Sequence, residues 1–177
     1  EKIAERIDAN LLDVSLNDLQ DLPKSMYKKK IKRVQEKTKG KLIIKEYPTA
    51  SAHSGHVRHL LQELDLKRSF KPHIIFIDYL NICSSFRIRP GSNMNTYTYV
   101  KAIAEEFRGL AVEFNVPIMS ATQTNRAGFV STDIGLEDTA ESFGLPATAD
   151  FMFALISTEE MQELDQIMIK QLKNRYN

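Results

Sequence analysis

The 177-residue sequence predicts an α/β fold built on a parallel sheet. Two nearly continuous apolar runs, His73–Leu80 and Val116–Ala121, are typical of strands that are buried on both faces. A long helical pattern separates them, which is the connection that parallel strands require. Two later strand patterns, Phe151–Ile156 and Gln166–Leu172, are joined by an acidic connection and could pair antiparallel.

The amino-terminal part predicts two helices. Ile3, Ile7 and Leu11 recur at a spacing of four, so the chain opens within a helix, and we expect that something upstream has been removed. Ser15, with Asp18 three residues later, is typical of a capping box and predicts a short second helix.

A basic helix is predicted next, with Pro23 in its first turn and Gly40 ending it. One stripe of this helix is apolar: Tyr27, Ile31 and Val34. The opposite side is mostly cationic: Lys28, Lys29, Lys30, Lys32 and Arg33. A solvated face explains these charges better than a nucleic-acid site, because surface helices ordinarily carry their charges there.

The following segment predicts a strand and then another helix. Leu42–Tyr47 has the composition of a strand, and Pro48 closes it. Ser51 is a candidate cap for a helix with one apolar side: Val57, Leu60, Leu61 and Leu64. That helix also carries His53, His56 and His59. Steps of three rotate the third histidine away from the first, and no Cys accompanies them, so a polar surface explains them better than a zinc site.

The longest helix follows a loop-like segment, residues 81–95, in which Arg87 and Arg89 are candidate exposed cations. One face of the helix is apolar: Val100, Ile103, Ala104, Phe107, Leu110, Ala111 and Phe114. The other face carries the charged residues: Lys101, Glu105, Glu106, Arg108 and Glu113.

Composition excludes several classes of protein. Lys and Arg number 24 against 23 Asp and Glu, and this net charge of +1 argues against a histone-like polycation. No run approaches the roughly 20 apolar residues of a membrane-spanning helix, and the first residues lack the apolar core of a signal peptide. Cys83 has no partner cysteine in the chain, so a secreted disulfide scaffold is excluded as well.

Polar side chains follow both apolar strands. Asp78 ends the first strand, where open α/β sheets place their ligands, and a carboxylate there can hold a hydrated Mg²⁺. A buried strand that simply ends in an Asp turn is the alternative. The second strand is followed by Gln123, Asn125 and Arg126. An amide at such a strand end can hydrogen-bond a γ-phosphate or its attacking water, and the alternative is an ordinary polar turn.

Two cations follow the last predicted strand. Lys173 and Arg175 are two residues apart, so they lie on one side of an extended segment. Either can stabilise transition-state charge on a phosphate, in its own subunit or, as an arginine finger, in a neighbouring one. The alternative is a frayed basic carboxyl terminus.

Four motifs, in this order, resemble those of the DnaB-like hexameric replicative DNA helicases, and most of all the replicative helicase of T-even-like phages. They are Asp78-Tyr79-Leu80 after a strand, Gln123 with Asn125-Arg126, Glu141-Ser142 with the later Ala149-Asp150, and Lys173 with Arg175 after the final strand. The resemblance runs along essentially the whole chain, and four ordered motifs are much more specific than any one of them.

The resemblance implies a RecA-like P-loop NTPase core with a mainly parallel central sheet flanked by helices, truncated at both ends, over residues 1–177. It implies an ATP-dependent motor that translocates on single-stranded DNA and unwinds duplex at a replication fork. The motor would be a homo-hexamer with ATP and Mg²⁺ between subunits. A primase and a helicase loader are implied partners, no membrane is, and the implied location is the cytoplasm, that of the host if the protein is phage-encoded.

Site residues are carried over one by one. Asp78 would hold Mg²⁺ through water, Gln123 would sense the γ-phosphate, and Arg175 with Lys173 would reach the neighbouring subunit's site. Main-chain N–H groups around Glu141, Ser142 and Gly144 would contact the DNA backbone. Three arginines would add charge to the DNA channel: Arg87, Arg89 and Arg126.

The sequence departs from the family pattern in two places. Ala140 stands where many members have Arg before the Glu-Ser pair, and Phe143 stands where Gly is usual, with Gly144 one residue later. No G-x-x-x-x-G-K-[ST] phosphate loop is present in the sequence. We therefore interpret the chain as a fragment of an ATP hydrolase and predict that the fragment alone is inactive.

Two alternatives share the predicted fold. A RecA-like DNA-binding or assembly module that lost its phosphate loop would have no ATPase activity. A recombinase-type ATPase would share Asp78 and the sheet, and fold alone does not separate it from a helicase.

Overall fold

The structure, a computed structural model, describes residues 2–89, 95–124, 135–136 and 144–176. The chain divides into two compact units, Glu1–Glu46 and Tyr47–Asn177. Helices and two small sheets alternate along the described residues, which confirms the predicted α/β class. The single domain predicted over residues 1–177 stays a prediction. No helix in the described part is both long enough and apolar enough to cross a membrane.

The first unit contains three helices: Lys2–Leu12 (α1), Leu16–Asp21 (α2) and Lys24–Lys37 (α3). The predicted capping box at the start of α2 is confirmed. The Ser15 hydroxyl oxygen accepts from the Asp18 N–H at 3.1 Å, and the hydroxyl donates to the Asp18 carboxylate at 2.7 Å. α3 meets α1 through Tyr27, whose hydroxyl donates to the Asp8 carboxylate at 2.7 Å.

The cationic side of α3 faces solvent. Four of its charged residues are exposed: Lys28, Lys29, Lys32 and Arg33. Lys30 is half-buried instead, because its Nζ donates to the carbonyl of Leu12 at 3.0 Å. This contact places a cation at the negative end of α1.

Residues 42–47 do not form the predicted strand. They adopt no regular secondary structure, and Leu42 and Ile44 are 64% and 50% exposed. Strand propensity describes how well a residue fits a pleated surface, but the pairing that makes a strand is set by the rest of the fold. The composition of this segment therefore predicted the wrong state.

The next helix, α4 (Ser54–Arg68), begins one residue after His53 and not after the predicted cap, Ser51. The His53 Nδ1 accepts a hydrogen bond from the Gly55 N–H at 3.0 Å. The Ser51 hydroxyl donates to the Pro48 carbonyl at 2.6 Å, so it stabilises the preceding turn. The prediction of Ser51 was wrong because short polar side chains favour turns as readily as caps.

His53 and His56 lie side by side, with ring centroids 3.8 Å apart. Burial, and then the neighbouring His56, hold the pKa of His53 below its usual value, against an opposing effect of Glu106. A lowered pKa keeps the imidazole neutral, which its role as a hydrogen-bond acceptor for Gly55 requires. Among the residues that the structure describes, no group of three His, Cys, Asp or Glu side chains could hold a metal ion.

The second unit is built around α5, Thr96–Phe114, whose predicted apolar face is confirmed. Ile103 and Leu110 have no exposed surface. Asn95 caps the helix by accepting from the Thr98 N–H at 2.9 Å. The other buried residues of this core are Leu61, Leu80, Cys83, Val100, Ala104, Phe107 and Leu145.

The first sheet is a parallel pair, β1 (Ile75–Ile77) and β2 (Ile118–Ser120). Its isoleucines pack against the core around α5. Phe76 and Met119 point the other way, opposite each other in the register, and are 68% and 49% exposed. Burial of both strands on both faces was a wrong prediction, because an apolar run does not reveal whether an element covers its second face.

In chain order the last elements are α6 (Gly144–Thr148), β3 (Phe151–Ile156), α7 (Glu159–Glu163) and β4 (Met168–Asn174). β3 and β4 pair antiparallel, which confirms the predicted pairing, and α7 lies in their acidic connection. β4 extends past its predicted end, so that Lys173 pairs with Met152 inside the sheet.

Candidate functional site

The carboxyl ends of β1 and β2 meet at one edge of the parallel sheet. The Ser120 hydroxyl donates to the Ile77 carbonyl at 2.8 Å. Just beyond the strands, the Thr122 hydroxyl donates to the Asn81 side-chain oxygen at 2.9 Å. These bonds hold the two strand ends side by side, so the residues that follow each strand come together there.

Asp78 and Gln123 both lie at this edge. Asp78 directly follows β1 and is exposed, and its carboxylate makes no hydrogen bond or ion pair with the rest of the described chain. The Gln123 amide nitrogen lies 3.4 Å from the hydroxyl of Tyr79, the residue after Asp78, and donates to it. An uncommitted carboxylate and an amide thus share one sheet edge, where such folds bind ligands.

An exposed carboxylate of this kind fits a magnesium ion that is held through water. Mg²⁺ keeps several of its waters and is usually bound by one or two carboxylates together with substrate phosphates. Asp78 offers acceptor oxygens that no described side chain occupies. The chemistry of the donor therefore agrees with the predicted metal role.

Lys173 and Arg175 point to the same side of the chain at the end of β4, where they meet α6. The Lys173 ammonium donates to the carbonyl of Pro146. Arg175 Nη2 donates to the carbonyl of Ala147 at 2.9 Å, and its Nη1 lies 2.8 Å from Asp150 Oδ1. In this structure both predicted finger residues therefore contact their own chain.

Arg108 of α5 joins this cluster, although the sequence pattern placed it only on a charged face. Its Nη1 donates to the carbonyl of Thr148 at 2.7 Å and to Asp150 Oδ2 at 2.8 Å. Three successive carbonyls at the end of α6 thus each bind a different cation. Helix carboxyl ends leave such carbonyls without partners inside the helix and favour positive charge.

The predicted DNA-contacting arginines differ in what they contact. Arg87 Nη2 donates to Glu105 at 2.9 Å and to the Ala102 carbonyl at 3.1 Å, and its Nε lies 3.4 Å from Glu106. Arg87 therefore has its charge balanced within the chain. Arg89 is exposed and makes no hydrogen bond or ion pair with described residues.

The remaining predicted DNA contacts are Gly144, Arg126, Glu141 and Ser142. Gly144 is buried, as the first residue of α6. Arg126, Glu141 and Ser142 lie outside the described residues. Their roles stay predictions.

Glu106, which the sequence pattern places on the charged face of α5, is a buried carboxylate. Its side chain is 6% exposed. It accepts from the hydroxyls of Ser85 at 2.6 Å and Ser54 at 3.0 Å, and from the N–H groups of Phe86 at 2.9 Å and Arg87 at 3.2 Å. Burial raises the pKa of Glu106. These hydrogen bonds, with that from Ser85 first, lower the pKa by more than burial raises it, so the pKa lies below its usual value. Glu106 thus fastens α4 and the loop before α5 to α5 itself.

A sequence signal for Glu106 exists but is weak. It follows Ile103 by three residues, which is about 60° around a helix and therefore at the border of the apolar face. The partners of Arg108 and Asp150 had no local signal, because these residues are far apart in the chain and belong to different elements.

Comparison with known proteins identifies the family of the chain. The sequence model of the DnaB-like helicase C-terminal domain matches residues 1–175. The chain belongs to this family. The DnaB-like replicative helicase of Enterobacteria phage T4 is 52% identical over 179 residues, which is 99% of this chain and 38% of that protein. The chain therefore spans well under half of the length of this DnaB-like relative. The resemblance predicted from the four motifs is confirmed.

Two solved structures share the fold. The ATPase domain of G40P has a TM-score of 0.76 at 16% identity, with 97% of this chain and 62% of that chain covered. A DnaB-like replicative helicase, whose structure was reported with its interactions with primase, has a TM-score of 0.71 at 17% identity, with 97% and 42% covered. The chain thus has the fold of DnaB-like helicase ATPase domains.

Proposed function

We propose that this chain is part of the motor of an ATP-dependent replicative DNA helicase, built on a RecA-like P-loop NTPase core. The motor translocates on single-stranded DNA and unwinds duplex at a replication fork. One observation carries the proposal. In a chain that matches the DnaB-like family over residues 1–175, an uncommitted carboxylate and an amide lie at the carboxyl edge of the parallel strands.

In this proposal Asp78 and Gln123 have different roles at the nucleotide. The Asp78 carboxylate would hold Mg²⁺ through water, and that ion would supply positive charge to the ATP phosphates. The Gln123 amide donates to the γ-phosphate or orients the attacking water. Tyr79, whose hydroxyl accepts from this amide at 3.4 Å, keeps the amide beside Asp78 until a phosphate replaces that bond.

Arg175 and Lys173 act on the nucleotide of a neighbouring subunit in a homo-hexamer. The Arg175 side chain keeps 35% of its surface exposed while it contacts α6, so part of the side chain remains accessible to another molecule. A guanidinium placed on the transferring phosphoryl group stabilises charge that develops in the transition state.

The proposed DNA contacts lie on the part of the motor that lines the channel. Arg89 has an uncommitted charge for a phosphate, whereas Arg87 must leave Glu105 and Glu106 to offer one. Further proposed contacts are Arg126, Glu141, Ser142 and Gly144. Backbone contacts of this kind hold a strand without reading its bases. The proposed partners are single-stranded DNA, a primase and a helicase loader. The proposed location is the cytoplasm, that of the host if the protein is phage-encoded.

The test is ATP turnover and fork unwinding by the full-length protein that carries this chain. Asp78→Asn is expected to lower turnover at least about 100-fold, because it removes the charge that holds the metal. Asp21→Asn, which changes an exposed aspartate at the end of α2, is the matched control and should leave turnover intact. Normal turnover by Asp78→Asn would overturn the proposal. The 177-residue chain alone is expected to show no Mg-dependent turnover.

The same assays separate the alternatives. A DNA-binding module without ATPase activity would bind single-stranded DNA and turn over no ATP. A recombinase-type ATPase would hydrolyse ATP and exchange strands without opening a fork. Loss of turnover on Asp78→Asn together with loss of fork opening fits only the helicase.

Action of Arg175 in a neighbouring site is tested with mixed hexamers. Arg175→Ala is expected to abolish turnover and to leave nucleotide binding largely intact. Mixing Arg175→Ala subunits with Asp78→Ala subunits creates interfaces in which both intact groups meet. Recovery of turnover in the mixture supports the role of Arg175 as an arginine finger. Absence of recovery at every mixing ratio refutes that role.

A further inference from the structure

Asp150 lies between two arginines, and its two carboxylate oxygens are used differently. Oδ2 accepts a hydrogen bond from Arg108 Nη1 at 2.8 Å. Oδ1 lies 2.8 Å from Arg175 Nη1, yet it is buried and accepts no hydrogen bond from any described group. The contact with Arg175 is close enough for an ion pair, but no N–H of Arg175 is aligned on the oxygen. Charge therefore holds Arg175 at this point.

This arrangement leaves most hydrogen-bond donors of Arg175 unused. A guanidinium has five N–H donors in a planar fork. Within the described chain, the Arg175 side chain makes one hydrogen bond, from Nη2 to the Ala147 carbonyl at 2.9 Å. The other donors remain for an acceptor that approaches from outside the chain, and phosphate oxygens match this fork.

The carboxylate itself is fixed to the core of the unit. Arg108, which anchors Oδ2, belongs to α5 and directly follows Phe107, which is 3% exposed. Arg108 also donates to the Thr148 carbonyl at 2.7 Å. The backbone N–H of Arg175 donates to the Asp150 carbonyl at 2.9 Å, so main chain and side chain of Arg175 are both placed against Asp150.

We propose that Asp150 is the positioning residue of Arg175. It holds the guanidinium by charge and leaves its donors for the phosphate of a neighbouring subunit. This inference rests on the proposed function. Without the carboxylate, Arg175 samples orientations that do not face the phosphate. Because the finger stabilises the transition state more than the bound nucleotide, such misplacement lowers kcat and leaves the KM for ATP nearly unchanged.

The test is Asp150→Asn in the full-length protein, assayed for ATP turnover. We expect kcat to fall about 10- to 100-fold and the KM for ATP to stay within about 2-fold. The matched control is Glu113→Gln in α5, which removes the ion-pair partner of Arg58 in α4, at 2.8 Å. This control should leave both constants unchanged. A merely structural role of Asp150 would lower the melting temperature and raise KM together, and that result overturns the proposal.

A double-mutant cycle links the effect to the finger. Asp150→Asn is expected to lower kcat much less in an Arg175→Lys background, because an ammonium lacks the fork that Asp150 orients. An equal fall in both backgrounds overturns the proposal. If Asp150→Asn does not assemble, Arg108→Gln decides, since it removes the anchor of Asp150 and should lower kcat with KM unchanged.

The two proposals can fail separately. If the unmodified protein turns over no ATP, the proposed function fails before Asp150 is tested. If Arg175→Ala is inactive and Asp150→Asn is normal, the helicase function stands and the positioning role is refuted.

Discussion

Truncation of Glu106 to alanine is expected to destabilise the chain by about 3 kcal/mol. Ser54 and Ser85, at 4% and 7% exposed, lose the acceptor of their hydroxyls, and each bond to a buried charged group contributes about 1.5–3 kcal/mol. The N–H groups of Phe86 and Arg87 belong to exposed residues and can donate hydrogen bonds to water instead. Relief from burying the carboxylate offsets part of the loss, which leaves about 3 kcal/mol.

The assay is urea unfolding of the chain, followed by circular dichroism, with thermal unfolding as a second measurement. About 3 kcal/mol corresponds to a melting temperature roughly 10 °C lower for a chain of this size. Glu105→Ala is the matched control, because Glu105 is the preceding residue of α5 and its ion pair with Arg87 is 43% exposed on the glutamate. Such surface pairs contribute about 0.2–1 kcal/mol. Equal destabilisation by the two variants would refute the assignment of Glu106 as a buried fastening point.

Three further outcomes are expected. Hydrogen bonds hold the pKa of Glu106 in the folded chain below its value in the unfolded chain. The stability that Glu106 contributes is therefore complete above the unfolded pKa and is lost as pH falls through the folded pKa. The free energies of unfolding of wild type and Glu106→Gln, measured in urea, should converge in acid. Burial raises the pKa of the Cys83 thiol to about 11, so its reaction with a disulfide reagent at pH 8 should be roughly 100-fold slower in the folded chain than after denaturation, measured by absorbance. Ser15→Ala removes the capping box of α2 and should destabilise the first unit by about 1 kcal/mol, whereas Ser15→Asp should not, as measured by urea unfolding.

Helices were predictable because their signals are local. The capping box at Ser15 and the apolar face around Ile103 depend on residues within a few positions of each other, and both are confirmed. The strand predicted at 42–47 had suitable composition, but a strand needs a partner that composition does not name. The cap of α4 was missed by two residues because a neutral imidazole, at His53, took the role expected of Ser51.

The edge of the parallel sheet was predictable for the same reason that the strands were. An apolar run followed by a polar residue defines both the strand and the side chain at its end, which brought Asp78 and Gln123 together. The cluster around Asp150 was not predictable, because Arg108, Asp150 and Arg175 come from three separate parts of the chain. Distance along the sequence hides which opposite charges meet, and only the fold reveals it.

The outward side chains of the parallel pair also add to the apolar surface that the chain exposes to water. Phe76 and Met119 lie opposite each other and form an exposed apolar pair. Sulfate strengthens the burial of apolar surface while salt screens the repulsion between charges. Ammonium sulfate should therefore drive retention of the chain on a phenyl resin, and dilution should release it. Exchange of both residues for serine would move elution to higher sulfate, and the size of that shift reports the contribution of this apolar pair.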